Sequence, residues 1–300
     1  MARQFSLWPD SRLLELLRRL HLSVGRAGFP WAEGRRRFGL RGASMEIADF
    51  RAYVQGDDLS HIDWKALARL DQLVVRLFHA RRAAPVTLLL DASASMAFGR
   101  PRKFDFARSL AAAIGFLALH HQDPLRVLSV TGEPVSPAAR RAEFSAVCSL
   151  PMLLAHLLGL EPRGRLDMGA VLESAVAGPR SGGIFIIISD FFPPGDWSRP
   201  LRRLRAGGRD IVLLHTLAPQ ELRPEFSGPQ RLRDSESGAV LPLTPNRRLL
   251  REYQRRLDAY INQLAVAARG VGAIYLPVDT STLLENLLLR DWRHRRIVRL

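Results

Sequence analysis

Four residues of this chain have the types and spacing to hold a hard metal ion. Asp91, Ser93 and Ser95 alternate within Pro85-Val-Thr-Leu-Leu-Leu-Asp-Ala-Ser-Ala-Ser-Met96. A chain that stays extended through this turn brings one carboxylate and two hydroxyls to one point. Hard oxygen donors in small number suit Mg²⁺, which keeps several waters and takes few protein ligands. Asp190 closes a second stretch of the same kind, Gly182-Gly-Ile-Phe-Ile-Ile-Ile-Ser-Asp190. Two acids that end separate apolar runs can share one pocket. A Mg²⁺-dependent hydrolase using Asp91 and Asp190 is the enzymatic alternative, but the sequence offers no evident base or nucleophile beside them.

These residues need strands behind them. Val86 to Leu90 and Ile184 to Ile188 are apolar without alternation, as in strands covered on both faces. In open α/β sheets ligands bind beyond the carboxyl ends of such strands, where both acids fall. Between and after them the periodicity predicts helices over 102–122, 146–160, 168–176, 197–206 and 280–289. Ala111, Ala112, Ala113 and Gly115 permit the first to approach the sheet closely. His120 and His121 fall at its end, where positive charge suits the helix dipole. Further strands are predicted at 125–131, 210–216 and 273–278. Asn246 caps a long helix to about Arg269, and Asp234-Ser-Glu-Ser-Gly238 is the turn of a hairpin. Ser11 to Leu22 is an amphipathic helix, read as packing on the body, and 25–42 a glycine- and arginine-rich connector. Leu73 to Phe78 reads as a strand.

Two motifs carry a resemblance to a known family. Asp91-Ala-Ser-Ala-Ser95 resembles the first loop of the metal-ion-dependent adhesion site of von Willebrand factor A-type domains. Glu46-Ile-Ala-Asp-Phe-Arg-Ala-Tyr-Val-Gln-Gly-Asp-Asp-Leu-Ser-His-Ile-Asp-Trp-Lys-Ala-Leu-Ala-Arg69 resembles the signature of the bacterial family catalogued as domain of unknown function 58. Members of that family carry a von Willebrand A-like domain just after it. The resemblance implies a doubly wound, mostly parallel α/β domain with a small β-rich extension. It divides the chain into an amphipathic helix and connector (1–42), the signature extension (43–82), the α/β domain with a hairpin insertion near 229–243 (83–290) and a basic tail (291–300). It also assigns a metal set of Asp91, Ser93, Ser95 and Asp190, occupied by Mg²⁺ or Mn²⁺. In the second metal loop Leu166 stands where the family usually has threonine, so binding is expected to be weak, with Asp167 outside the first ligands or simply a helix N-cap. Arg51, Tyr53, Gly56, Asp57, Asp58, Asp63, Trp64 and Arg69 are read as scaffold or docking residues, with Phe50, Tyr53, Ile62 and Trp64 as apolar anchors.

Composition limits the remaining readings. Apolar residues make up 47% of the 300, ample for a core, and the net charge is +15. Of the 44 basic residues only Lys65 and Lys103 are lysine, which marks a compositional bias rather than a patch. Arginine clusters at 35–37, 202–205 and 290–299 could meet phosphate or anionic lipid, but no specific nucleic-acid motif accompanies them. The single cysteine, Cys148, is expected in the core of a protein from a reducing compartment. No phosphate-cradling glycine loop and no Gly-x-Ser-x-Gly is found. No signal peptide or spanning segment is expected either, since the longest apolar or glycine run falls short of the roughly 18 residues a spanning helix needs. The expected role is a cytoplasmic, non-enzymatic binding module, with peripheral membrane contact left open and no small-molecule substrate. As partners the resemblance implies a MoxR-type AAA+ ATPase and other von Willebrand A-domain proteins, in complex assembly, maturation or metal insertion.

Overall fold

The structure, a computed structural model, describes residues 11–22, 45–55, 57, 59, 62–80, 84–131, 140–177, 182–192, 195, 197–225, 228–295 and 297–299. The connector at 25–42, the arginines at 35–37 and signature residues Gly56, Asp58 and His61 lie outside that set, as does Arg296. The chain forms two compact units, 29–83 and the remainder.

The larger unit begins with α1 (Ser11–Arg19) and β1 (His21–Leu22). Leu13, Leu17, Leu20 and Leu22 are buried while the arginines between them face out, so α1 packs on the body by its leucine stripe.

The smaller unit holds β2 (Met45–Ala52), α2 (Trp64–Leu70) and β3 (Val74–Ala80), with β2 and β3 antiparallel and a register shift between Ile47 and Asp49. Arg51 Nη2 donates to Asp57 Oδ1 at 2.6 Å, and Asp57 Oδ2 accepts the Val54 amide at 3.0 Å, closing the turn after β2. Asp63 Oδ1 accepts the Ala66 amide at 3.2 Å and caps α2. Of the expected anchors Ile62 is buried, against Val75, with which it forms an isolated bridge. Phe50 and Trp64 are instead half or more exposed, Tyr53 is intermediate, and Arg69 is exposed on α2. Among the described residues of this unit, two strands and a seven-residue helix offer too little area to bury four large side chains.

The rest of the chain builds a six-stranded sheet in the order β11-β8-β7-β4-β5-β6. Its strands are β4 (Val86–Asp91), β5 (Leu125–Val130), β6 (Arg140–Phe144), β7 (Gly183–Ser189), β8 (Arg209–Leu217) and β11 (Ile274–Asp279). All pairs are parallel except β5–β6, an antiparallel edge that periodicity does not reveal. Successive side chains alternate between faces, so each central strand feeds two cores. Leu88, Leu90, Ile186 and Ile188 join one, with α1, α3 (Lys103–His120) and α4 (Leu150–Leu158); Leu89, Phe185 and Ile187 join the other, with α5 (Met168–Ala177), α6 (Ser198–Ala206) and α8 (Arg247–Gly270). Full burial of each such side chain stabilises by about 1.5–3 kcal/mol. Helix α3 is buried nearly all round, which the run of alanines and Gly115 permits.

Short α7 (Pro219–Leu222) follows β8, and the hairpin β9 (Gln230–Arg233) and β10 (Val240–Leu243) precedes α8, which Asn246 caps by accepting the Leu249 amide at 2.8 Å. The C-terminal helix breaks into α9 (Leu284–Asn286), a π turn at Leu287–Asp291 and α10 (Trp292–His294). The basic terminus is packed: Trp292, Ile297 and Val298 are buried and β12 (Val298–Arg299) pairs antiparallel with β1. His121 Nε2 sits 2.7 Å from the Leu20 carbonyl, a contact between the end of α3 and α1. Cys148 is exposed, contrary to expectation, because it lies in a 3₁₀ turn, Val147–Ser149, that caps α4 rather than in an element's apolar face. No helix among the described residues is long and apolar enough to cross a membrane.

Candidate functional site

Strand order places the site. β4 connects outward to β5 on one side, while β7, reached later in the chain, pairs on its other side. That reversal opens a crevice at the carboxyl ends of β4 and β7. The pairing of Leu90 with Ile188 sets Asp91 beside Ser189, and Asp190 comes next. Asp91, Ser93, Ser189 and Asp190 are all buried.

Each carboxylate is held by local donors. Asp91 Oδ1 accepts the Ser93 amide at 2.8 Å and Oδ2 accepts the Ser189 hydroxyl at 2.5 Å. Ser93 and Ser95 hydroxyl oxygens are 3.0 Å apart, at the entry to a 3₁₀ turn, Ala94–Ala97. Asp190 Oδ1 accepts the Phe192 amide at 3.1 Å. This turn is completed by Phe191 at φ 55° and fastened by Tyr260 of α8, whose hydroxyl donates to the Phe191 carbonyl. The expected quartet is therefore brought to one place, with Ser95 and Asp190 facing a cavity of about 440 Å³.

The sequence reading missed the cation already present. Lys103, the first residue of α3, is buried and its Nζ lies 2.6 Å from both Asp190 Oδ2 and Glu221 Oε1. Glu221 Oε2 in turn accepts the Ala218 amide at 2.7 Å, and Tyr253 donates to the Glu221 carbonyl at 2.8 Å. A compact ammonium can serve two carboxylates at one atom, where a planar guanidinium needs more room. That one of only two lysines in an arginine-rich chain stands here was the available signal.

Electrostatics follow from burial. Asp91 is pushed up to about 7, first by desolvation and then by the charge of Asp190. Burial alone would lower Lys103, but Asp190 and Glu221 outweigh it and hold the ammonium above its ordinary value. His215 of β8, bonded through Nδ1 to the Tyr275 hydroxyl at 2.6 Å, is pushed down to about 4, chiefly by burial. The site thus favours positive charge from outside and keeps its histidine neutral.

The donor set fits a hard cation in kind. Among the described residues no three His, Cys, Asp or Glu side chains cluster as a metal site, so a cation here relies on hydroxyls as well as the two aspartates. The two serine oxygens are 3.0 Å apart because one hydroxyl donates to the other, a separation that adjacent ligands of an octahedral ion with bonds of about 2.1 Å also have. Lys103 competes with such an ion for Asp190. Asp167 stands apart from the quartet as the cap of α5, accepting the Ala170 amide at 3.1 Å, and Leu166 is buried in the second core. Among the arginines read as a cluster, Arg203 pairs with Glu173 and Arg205 with Asp210, so part of that charge is spent within the chain.

A family described as protein of unknown function DUF58 matches residues 49–260. Uncharacterized proteins of Mycobacterium bovis (strain ATCC BAA-935 / AF2122/97) and Mycobacterium tuberculosis (strain ATCC 25618 / H37Rv) are each 29% identical over 285 residues, spanning 94% of this chain and 87% of the relative. Solved structures with partial similarity include the conserved hypothetical protein BatB from Bacteroides thetaiotaomicron. It is 16% identical, with a TM-score of 0.43, over 71% of this chain and 98% of that one. An aerotolerance-related membrane protein from Bacteroides fragilis is 17% identical, with a TM-score of 0.42, over 70% of this chain and 97% of that one.

Proposed function

We propose a protein-binding role for this chain, which belongs to the family described as protein of unknown function DUF58: it is a non-enzymatic module whose docking point is the cavity at the ends of β4 and β7. The α/β body is read as von Willebrand A-like, and Asp91, Ser93, Ser95 and Asp190 as the residues that hold Mg²⁺ or Mn²⁺. The ion supplies a fixed positive charge with open positions for a partner's carboxylate. The chain's own residues do the rest: Ser189 and the Ser93 amide orient Asp91, while Tyr260 and the Phe192 amide fix Asp190. The partner is read as a MoxR-type AAA+ ATPase, in complex assembly, maturation or metal insertion.

One observation supports this above others. Asp190 and Glu221 converge on a single ammonium, and buried Asp91 stands close enough to Asp190 to feel its charge, so these three acids outnumber the one lysine. Excess buried charge of one sign calls for a partner of the other. The test is capture of the partner from a native lysate, with and without chelator and across a salt series. Metal-bridged contacts resist screening, whereas arginine contacts weaken steeply with salt. Capture of an AAA+ ATPase that is lost with chelator or Asp91→Ala but survives high salt is the expected result. Capture indifferent to chelator and to Asp91→Ala overturns the reading.

A further inference from the structure

Among the described residues, each edge of the six-stranded sheet is a strand with one unpaired side, and the two edges differ in chemistry. β11 carries Pro277 in mid-strand, which cannot donate to a further ladder. β6, Arg140-Arg-Ala-Glu-Phe144, has no proline, and its register against β5 runs without a bulge. Its outer N–H and C=O groups are a template for another strand. Charges often blunt such an edge, but here they are of opposite sign and symmetric about Ala142. Arg141 Nη2 lies 2.7 Å from Glu143 Oε1 within the chain, with both side chains about half exposed. An ion pair so open to water contributes little, so exchanging its partner costs little.

The same edge carries an apolar helix face. Ala142 and Phe144 point to the other side of the sheet, where they pack in the first core with Leu153 and Leu157 of α4. The outer surface of α4 is apolar as well: Met152 is 67% exposed and Leu158 58%, with Ala155 exposed between them and Val147 exposed in the preceding turn. From Ala146 to Leu160 there is no Asp, Glu, Lys or Arg, in a chain that is 24% charged. A surface helix normally sets charged residues opposite its core stripe. An uncharged outer face beside an open strand marks a surface that a partner covers.

We propose that this face binds a second copy of the chain, β6 against β6, in antiparallel pairing centred on Ala142. In that register Ala142 meets its own counterpart, and Arg141 of each copy stands opposite Glu143 of the other, so both cross-strand pairs join opposite charges. Antiparallel neighbours of this kind are related by a two-fold axis perpendicular to the sheet, which keeps each face of the sheet on its own side. The two α4 helices then lie on the same side across the axis, where Met152 and Leu158 are withdrawn from water. One isologous contact closes the open edge and covers the apolar face together. No residue lining the cavity at Asp190 belongs to β6 or α4, so the contact forms whether or not a cation binds there.

The test is sedimentation equilibrium of the full chain over a micromolar concentration series, for wild type, Arg141→Glu, Glu143→Arg and the double exchange. Wild type is expected to dimerise. Each single exchange sets like charges opposite one another at two symmetric positions and is expected to raise the dimer dissociation constant about tenfold or more. The double exchange should restore the dimer. An equimolar mixture of the two single variants should form a heterodimer, because opposite charges face each other again. Amide hydrogen exchange should be slow along β6 in wild type and fast in Glu143→Arg. A monomeric wild type, or a dimer that neither single exchange weakens, overturns the proposal. A monomer that instead cosediments with anionic vesicles, and loses them in Met152→Glu, gives the face to a membrane and overturns it as well.

Discussion

The ammonium of Lys103 and the carboxylate of Asp190, 87 positions apart in the chain, meet at 2.6 Å with both side chains buried. The contact ties the first turn of α3 to the end of β7 across the crevice, and through Glu221 it reaches α7 as well.

Removing one member of such a group leaves uncompensated buried charge. Lys103→Met is expected to destabilise the metal-free protein by about 3–5 kcal/mol. Lys103→Met with Asp190→Asn should cost less than Lys103→Met alone, since the two positions are coupled. Millimolar Mg²⁺ should restore much of the single variant's melting temperature. Additive losses, or a melting temperature indifferent to Mg²⁺, would count against an electrostatic role for this pair.

Cation binding should depend on pH through Asp91. With its pKa at about 7, above the ordinary carboxylate value, the folded protein holds a proton that an entering cation must expel. Apparent Mg²⁺ affinity is therefore expected to rise up to about tenfold per pH unit below 7 and to level off above it. Calorimetry in buffers of different ionisation enthalpy should register proton release at pH 6 and little at pH 8.5. A flat profile with no proton release refutes this.

His215 makes the stability of the fold itself depend on pH. Its folded pKa, about 4, lies below the unfolded value of 6.5, so the native state refuses a proton that the unfolded chain accepts. Stability is complete above about pH 6.5 and falls as pH drops towards 4. Between pH 7 and 5 the loss from this residue is about 2 kcal/mol. Urea unfolding of His215→Asn should show a shallower decline than wild type over that interval, and parallel declines would exclude the assignment.

Gly183, where β7 begins, has φ 89°, and a Cβ there would stand 2.1 Å from the Pro85 carbonyl oxygen. Gly183→Ala should cost about 3 kcal/mol or more, combining strain with a backbone clash. Gly228, at φ 73° with open space around it, should cost only about 1 kcal/mol when changed to alanine. Equal unfolding midpoints for the two variants would show that the clash relaxes freely.

Much of the sheet was legible because burial on both faces leaves an unbroken apolar run, and β4 and β7 have one each. Their terminal acids stood out for the same reason, as polarity arriving abruptly at Asp91 and Asp190. β6 was not legible, since an edge strand with one open face, reading Arg140-Arg-Ala-Glu-Phe144, lacks that run. Cys148 was misplaced because residue type predicts burial only on average, whereas its turn faces solvent.

The chain's order of residues determined by itself the alternation of helices and doubly covered strands, the Asp-x-Ser-x-Ser spacing and the cap at Asn246. These depend on neighbours a few positions apart, where periodicity and capping act. Only the tertiary structure decided that Lys103 and Glu221 complete the charge at Asp190. Those contacts join residues far apart in sequence, and their energies depend on burial. A carboxylate's partner is set by which side chains the closed sheet excludes from water with it, and no local pattern records that.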